Sequence, residues 1–143
     1  MTSAPTPSFT VKHIDHIVLR VASLERAMAF YCDVLGCKVA RRRDDLGLIH
    51  LSAGSSMIDL VALDGVLGRR GGAGAAKEGR NVDHLCLRVE PFDEVALTQH
   101  LAALNIPTHG AAAVNFGAEG EGLSLYVSDP DGNTVELKGP ARA

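Results

Sequence analysis

The octapeptide IDHIVLRV at residues 14–21 returns at residues 82–89 as VDHLCLRV, 68 residues further along a chain of 143. Asp15, His16, Leu19, Arg20 and Val21 of the first copy reappear as Asp83, His84, Leu87, Arg88 and Val89. A repeat at about half the chain length confines the fold to two copies of one supersecondary unit. Successive side chains of a strand point to opposite faces, so Ile14, His16, Val18 and Arg20 share one side and Ile17, Leu19 and Val21 the other. The β-branched content makes the segment a strand.

After the first copy, Ser23 stands where a helix N-cap would, and Leu24, Ala27, Met28, Tyr31 and Leu35 recur at helical spacing up to Gly36. Three short apolar segments follow, 37–42, 48–53 and 57–63, separated by turn signals. Residues 64–80 are Gly-rich and aperiodic, which reads as a flexible linker. The second half repeats the order. Its strand at 82–89 precedes a helix with Asp93 and Glu94 in its first turn and an apolar stripe of Leu97, Leu101 and Leu104, ended by Pro107. Strands are expected near 110–114, 123–128 and 134–138, with the turn Asp129-Pro130-Asp131-Gly132 between the last two.

Both halves therefore read βαβββ. The expected fold is α+β, two such modules paired about a pseudo-twofold so that their open faces form a barrel-like cleft. Residues 1–12 are expected to be a flexible tail, with module one at 13–63, the linker at 64–80 and module two at 81–140, in a single domain spanning 13–143.

Composition narrows the partners. A net charge of −3 offers no field for a phosphate backbone, so nucleic acid is not expected. The run Arg41 to Arg43 is answered by Asp44 and Asp45. Three cysteines without CxxC spacing argue against a disulfide framework or a thiolate zinc site. The opening MTSAPTPSFT has neither a cationic nor an apolar region, and no stretch matches a membrane span; a cytoplasmic protein that avoids membranes is expected.

Aligning the fourth strands, MIDLVAL against TVELKG, sets Asp59 opposite Glu136. Their offset of 77 exceeds 68, and the longer connection from Val114 to Gly122 absorbs the surplus. The repeat thus supplies His16, His84, Asp59 and Glu136. Two imidazoles and two carboxylates suit one divalent ion of borderline hardness: Zn, Ni, Co, Fe or Mn. A carboxylate between Val135 and Leu137 is costly to bury unless paired with a cation. Asp59, a methylene shorter than Glu, is open to three roles: a ligand through water, a base, or neither. Arg20 and Arg88 share faces with the two histidines and suit a substrate carboxylate or phosphate. Ser124 and Tyr126 share a face, where the phenol suits a hydrogen bond to a bound oxygen, and His50 falls on the cleft side with Leu48 and Ser52. His13, His100 and His109 fall at element ends and are expected to be solvated.

The segments IDHIVLRV, ERAMAFYCDVLG, VDHLCLRV and LYVSDPDGNTVEL resemble the vicinal oxygen chelate superfamily of glyoxalases, bleomycin-resistance proteins and extradiol dioxygenases, over nearly all of residues 14–140. The resemblance implies paired βαβββ modules with a metal at His16, His84 and Glu136 and a fourth ligand where Asp59 stands. Glyoxalase I normally carries Glu there, so Asp59 departs from that pattern. Arg20 matches an arginine that holds the glutathione carboxylate in some glyoxalases. The implied activity is a metal-dependent lyase or isomerase acting on a small molecule: Glu136 or Asp59 removes a proton and a divalent ion stabilises the enediolate. A homodimer is expected. Two alternatives stand beside it. An extradiol-type dioxygenase would use His16, His84 and Glu136 around Fe(II), although GAEGEG stands where its signature has a histidine. A drug-sequestering protein would need aromatic walls, and this chain has no Trp and 4% aromatics.

Overall fold

A computed structural model describes residues 4–142, and residues 1–3 of the expected tail lie outside it. Residues 4–15 form no helix or strand and are exposed. Module one comprises β1 (His16–Val21), α1 (Leu24–Met28), β2 (Lys38–Arg43), β3 (Leu48–Ala53) and β4 (Ser56–Ala62). Module two comprises β5 (Leu85–Arg88), α2 (Glu94–Ala103), β6 (Ala113–Gly117), β7 (Gly120–Ser128) and β8 (Thr134–Lys138). The strand orders are β1-β4-β3-β2 and β5-β8-β7-β6. Each first strand lies parallel to its last, which requires a crossover, and α1 or α2 provides it. The expected α+β pair of βαβββ units is present, but the two sheets stay separate and do not close into a barrel.

The strand phase follows the pattern in the sequence. Leu19 and Val21 are buried while His16 and Val18 are exposed, so one face of β1 enters the core and the other opens outward. A continuous core joins Leu19, Val21, Ile49, Leu51, Ile58 and Leu60 of module one to Leu101, Leu125, Val127, Val135 and Leu137 of module two. The longer second hairpin is visible in β7, which has nine residues where β3 has six.

Ser23 caps α1 by accepting from the Arg26 amide. The helix then widens into π-turns over Ala29–Val34, where Phe30 and Tyr31, adjacent in sequence, are both buried and meet edge to face. Asp93 caps α2. Its stripe is shorter than expected: Leu101 is buried, but Leu104 is the exposed C-cap, and Asn105 at φ 60° stops the helix ahead of Pro107. His100 stands in the last turn of α2 and is exposed, as expected, with its Nε2 2.8 Å from the Val34 carbonyl.

The expected flexible linker is pinned. Arg20 donates to the carbonyl oxygens of Gly68, Gly72 and Ala73. Gly68 sits so close to β4 that a Cβ there would stand 1.8 Å from the Ala62 oxygen. A 3₁₀ turn at Gly68–Gly71 interrupts the segment.

The β7–β8 turn docks module two on module one. Buried Asp129 accepts from the Tyr31 hydroxyl at 2.7 Å, the amides of Asp131 and Asn133, and the Asn133 side chain. Asp131 Oδ1 accepts from the Ala22 amide just past β1, and Arg80 ties the end of the linker to Asn133 and the Asp131 carbonyl. Burial and the Asp129 charge push the Tyr31 phenol far above its ordinary range, so it remains a donor throughout the working pH range. Tyr31→Phe removes one donor from a buried carboxylate and is expected to destabilise the fold by about 1–3 kcal/mol in urea unfolding. Asp129→Ala, which strands three donors and the phenol together, is expected to cost more than Tyr31→Phe.

Candidate functional site

Register places the chemistry on the open faces. In module one, Val18 of β1 and His50 of β3 flank Asp59 of β4. In module two, Cys86 of β5 and Tyr126 of β7 flank Glu136 of β8. Central strands are covered on both sides, which leaves Asp59 and Glu136 only 6% and 5% exposed although the faces are open.

Each histidine is oriented by the aspartate before it. His16 Nδ1 lies 2.7 Å from Asp15 and His84 Nδ1 lies 2.7 Å from Asp83. A carboxylate only accepts, so the proton is on Nδ1 and each neutral ring presents its Nε2 lone pair. These hydrogen bonds are the largest influence raising both histidine pKa values.

His84 Nε2 and Glu136 Oε1 are 3.0 Å apart. With Nδ1 protonated, two electron-pair donors face each other at that distance, an arrangement that is repulsive unless a proton or metal cation lies between them. Two ligands at right angles on an ion, with bonds of about 2.1 Å, are separated by roughly 3 Å. The pair therefore fits a metal by both donor type and spacing. In module one, Asp59 Oδ1 is buried and makes no hydrogen bond among the described residues; His50 Nδ1, an ion-pair partner only when that ring is protonated, is 2.9 Å away. An unpartnered buried carboxylate oxygen is a second feature that a cation would satisfy.

Among the described residues, no three His, Cys, Asp or Glu side chains converge as a metal-binding group. A groove between the sheets is lined by Val18, Arg20, Arg80, His84 and Thr134, but His16, Asp59 and Glu136 do not line it.

The two arginines are engaged elsewhere. Arg20 holds the linker carbonyls, and Arg88 is paired with Glu119 at 2.6 Å and Glu90 at 2.5 Å. Tyr126 packs edge-on against the His84 ring, with centroids 5.6 Å apart. Desolvation and the Glu136 charge raise its phenol, which keeps it a hydrogen-bond donor. Ser124 is buried beside it on the same face.

Two residues on this face escaped the sequence reading, Cys86 and Lys138. The signal for both was the strand period of two, which carries Cys86 with His84 and Lys138 with Glu136.

Two βαβββ modules, each presenting a histidine and a carboxylate on its open face, make up a duplicated α+β scaffold. The chain belongs to the Glyoxalase/Bleomycin resistance protein/Dioxygenase superfamily, whose model matches residues 13–137. It is 29% identical over 129 residues to the catechol-2,3-dioxygenase of Bacillus subtilis (strain 168), covering 87% of this chain and 40% of that protein. The chain thus spans less than half the length of that relative. It is 28% identical to virulence protein STM3117 of Salmonella typhimurium, covering 89% of this chain and 83% of the other. The crystal structure of STM3117 superposes with a TM-score of 0.75 over 93% of this chain and all of that one, at 23% identity. Lactoylglutathione lyase of Agrobacterium tumefaciens superposes at 0.62, with 23% identity, over 93% of this chain and 94% of that one, a likeness of fold.

Desolvation and the Glu136 charge push the Cys86 thiol up to about 11. In metal-free protein at pH 8, Cys86 is therefore expected to react with iodoacetamide about 100-fold more slowly than a thiol of ordinary pKa near 9. The rate should climb toward pH 11 and rise at pH 8 in Glu136→Gln; mass spectrometry of the Cys86 peptide against time checks both.

Proposed function

We propose that this chain is a metal-dependent lyase or isomerase that moves a proton on a small oxygen-bearing substrate. The observation that carries this reading is the facing pair His84 Nε2 and Glu136 Oε1, 3.0 Å apart, which calls for a cation. Asp59, with its unpartnered Oδ1, supports four protein donors and so favours this chemistry over a two-histidine, one-carboxylate centre.

His16, His84, Glu136 and Asp59 would hold one divalent ion, Zn, Ni, Co, Fe or Mn. Bound there, such an ion supplies Lewis-acid stabilisation of negative charge on neighbouring substrate oxygens. Asp15 and Asp83 keep the histidines in the ligating tautomer. Glu136 or Asp59, desolvated on its central strand, takes the proton from carbon and returns it. Tyr126, held protonated beside Glu136, donates to a substrate oxygen.

Because the donors are split two and two between open faces, the reading takes the centre to be completed between two copies. One copy contributes His16 and Asp59, the other His84 and Glu136. A dioxygenase reading is kept alive by the likeness to catechol-2,3-dioxygenase and by Tyr126 against His84. Oxygen uptake with catechol under Fe(II), without turnover of hemithioacetals or acyl thioesters, would select it.

The test is subunit mixing. His16→Ala and His84→Ala are each expected to lose bound metal and activity. In a randomly exchanged equimolar mixture, half of the dimers carry both variants and each of those has one intact centre, so about a quarter of wild-type metal should return. A mixture that stays empty places all four donors in one chain; unchanged metal in both single variants sinks the centre itself. Glu136→Gln should lower turnover by about 100-fold or more.

A further inference from the structure

Buried on the open face of module two is a hydroxyl that the fold does not require. Ser124 of β7 is 1% exposed. It pairs in register with Lys138 of β8 as Leu48 of β3 pairs with Val61 of β4, so an apolar side chain holds the equivalent place in module one. Burying a hydroxyl is costly unless its hydrogen bonds are made, and Ser124 makes them with two neighbours on its own face. Asn115 Nδ2, on β6, donates to Ser124 Oγ at 2.6 Å. On the other side the serine hydroxyl bonds the phenol of Tyr126, two residues along β7.

The direction of these bonds is set from both ends. The Tyr126 phenol lies between Ser124 and Glu136, its register partner on β8, and bonds to each. A carboxylate only accepts, so the phenol spends its one hydrogen on Glu136 and accepts from Ser124. At the far end Asn115 donates to the serine oxygen, which leaves the serine hydrogen to donate onward. Both ends give one order: Asn115 to Ser124, Ser124 to Tyr126, Tyr126 to the carboxylate side. Each bond in such a chain polarises the next. Module one has no counterpart, because His50 stands where Tyr126 does and Leu48 where Ser124 does.

We propose that Asn115 and Ser124 are positioning residues that aim the Tyr126 hydrogen toward the Glu136 side of the site, so that the substrate oxygen received there is an acceptor such as a carbonyl or enolate oxygen. This rests on the metal reading given above. With its direction fixed in advance, the phenol meets charge developing on that oxygen without having to reorient.

Acetohydroxamate, which chelates through two neighbouring oxygens, is titrated by calorimetry into zinc-loaded protein near neutral pH, with bound zinc measured alongside. Tyr126→Phe is expected to weaken binding about ten-fold. Ser124→Ala should weaken it about three-fold or more in the presence of the phenol and leave it unchanged in Tyr126→Phe, a coupling that a merely structural serine would not show. Asn115→Asp replaces a donor by an acceptor of the same shape. Gly122, the register partner of residue 115, lies under the Lys138 ammonium, which favours the ionised form of the new carboxylate. That carboxylate should draw the Ser124 hydrogen away from the phenol and lower the affinity to that of Tyr126→Phe with the phenol still present. All variants should keep wild-type zinc. An effect of Ser124→Ala that is absent, or equal with and without the phenol, overturns this inference alone; so does full affinity in Asn115→Asp or in Tyr126→Phe. Loss of zinc in Ser124→Ala and Asn115→Asp alike marks a structural role and overturns it too. Should Ser124→Ala not fold, Asn115→Asp with and without Tyr126→Phe carries the same cycle. Wild-type protein that fails to hold zinc, or to bind the hydroxamate through it, overturns the metal reading and this inference with it.

Discussion

The buried carboxylate of Asp129 sets the relation between the two halves of the molecule. It gathers two backbone amides, an amide side chain and the phenol of Tyr31, so one ion organises the β7–β8 turn and fastens it to the opposite module. Burying that charge is tolerable only because every contact is a donor, and each donor strengthens in the low dielectric of the core. Asp131 reaching the Ala22 amide and Arg80 reaching the same turn extend the joint to the end of β1 and to the linker. The open faces of both sheets take their directions from this joint.

On the module-two face a histidine nitrogen and a carboxylate oxygen stand 3.0 Å apart. A histidine locked by its preceding aspartate cannot relieve a carboxylate across from it by donating a hydrogen bond from Nε2 while remaining neutral. The lock therefore commits the pair to a cation: a second proton on the imidazole or a metal. The raised histidine pKa values describe the first case and the donor geometry describes the second. Duplication has preserved the lock in both modules while changing what surrounds it, His50 beside Asp59 in one and Tyr126 beside Glu136 in the other.

Features governed by local periodicity were legible in the sequence. The repeat, the βαβββ order, the face of His16 and His84, and the matching of Asp59 with Glu136 all follow from a period of two and a fixed offset. The longer second hairpin followed from the residual of that offset. Features that depend on meetings between distant residues were hidden. Arg20 and Arg88 stood on the right faces, but carbonyls more than 45 residues away and Glu119, 31 residues away, engage them. The linker looked flexible because glycine counts reveal freedom and not the close approach to Ala62 that uses it. Tyr31 read as one member of a helical stripe, since nothing local marks a phenol that will meet a carboxylate 98 residues on.

The divergence of the two faces bears on how such a centre would handle an asymmetric substrate. Val18 and Val61 flank the module-one donors, while Cys86 and Lys138 hold the equivalent places in module two. A symmetric pair of faces would bind a substrate in either direction with equal energy. Apolar side chains on one wall and a thiol and an ammonium on the other would remove that degeneracy, because a polar end turned toward Val18 and Val61 would lose its water without gaining a partner. Orientation would then fix which end of the substrate faces Glu136 and which faces Asp59, so divergence within the repeat would separate the roles of two otherwise similar carboxylates.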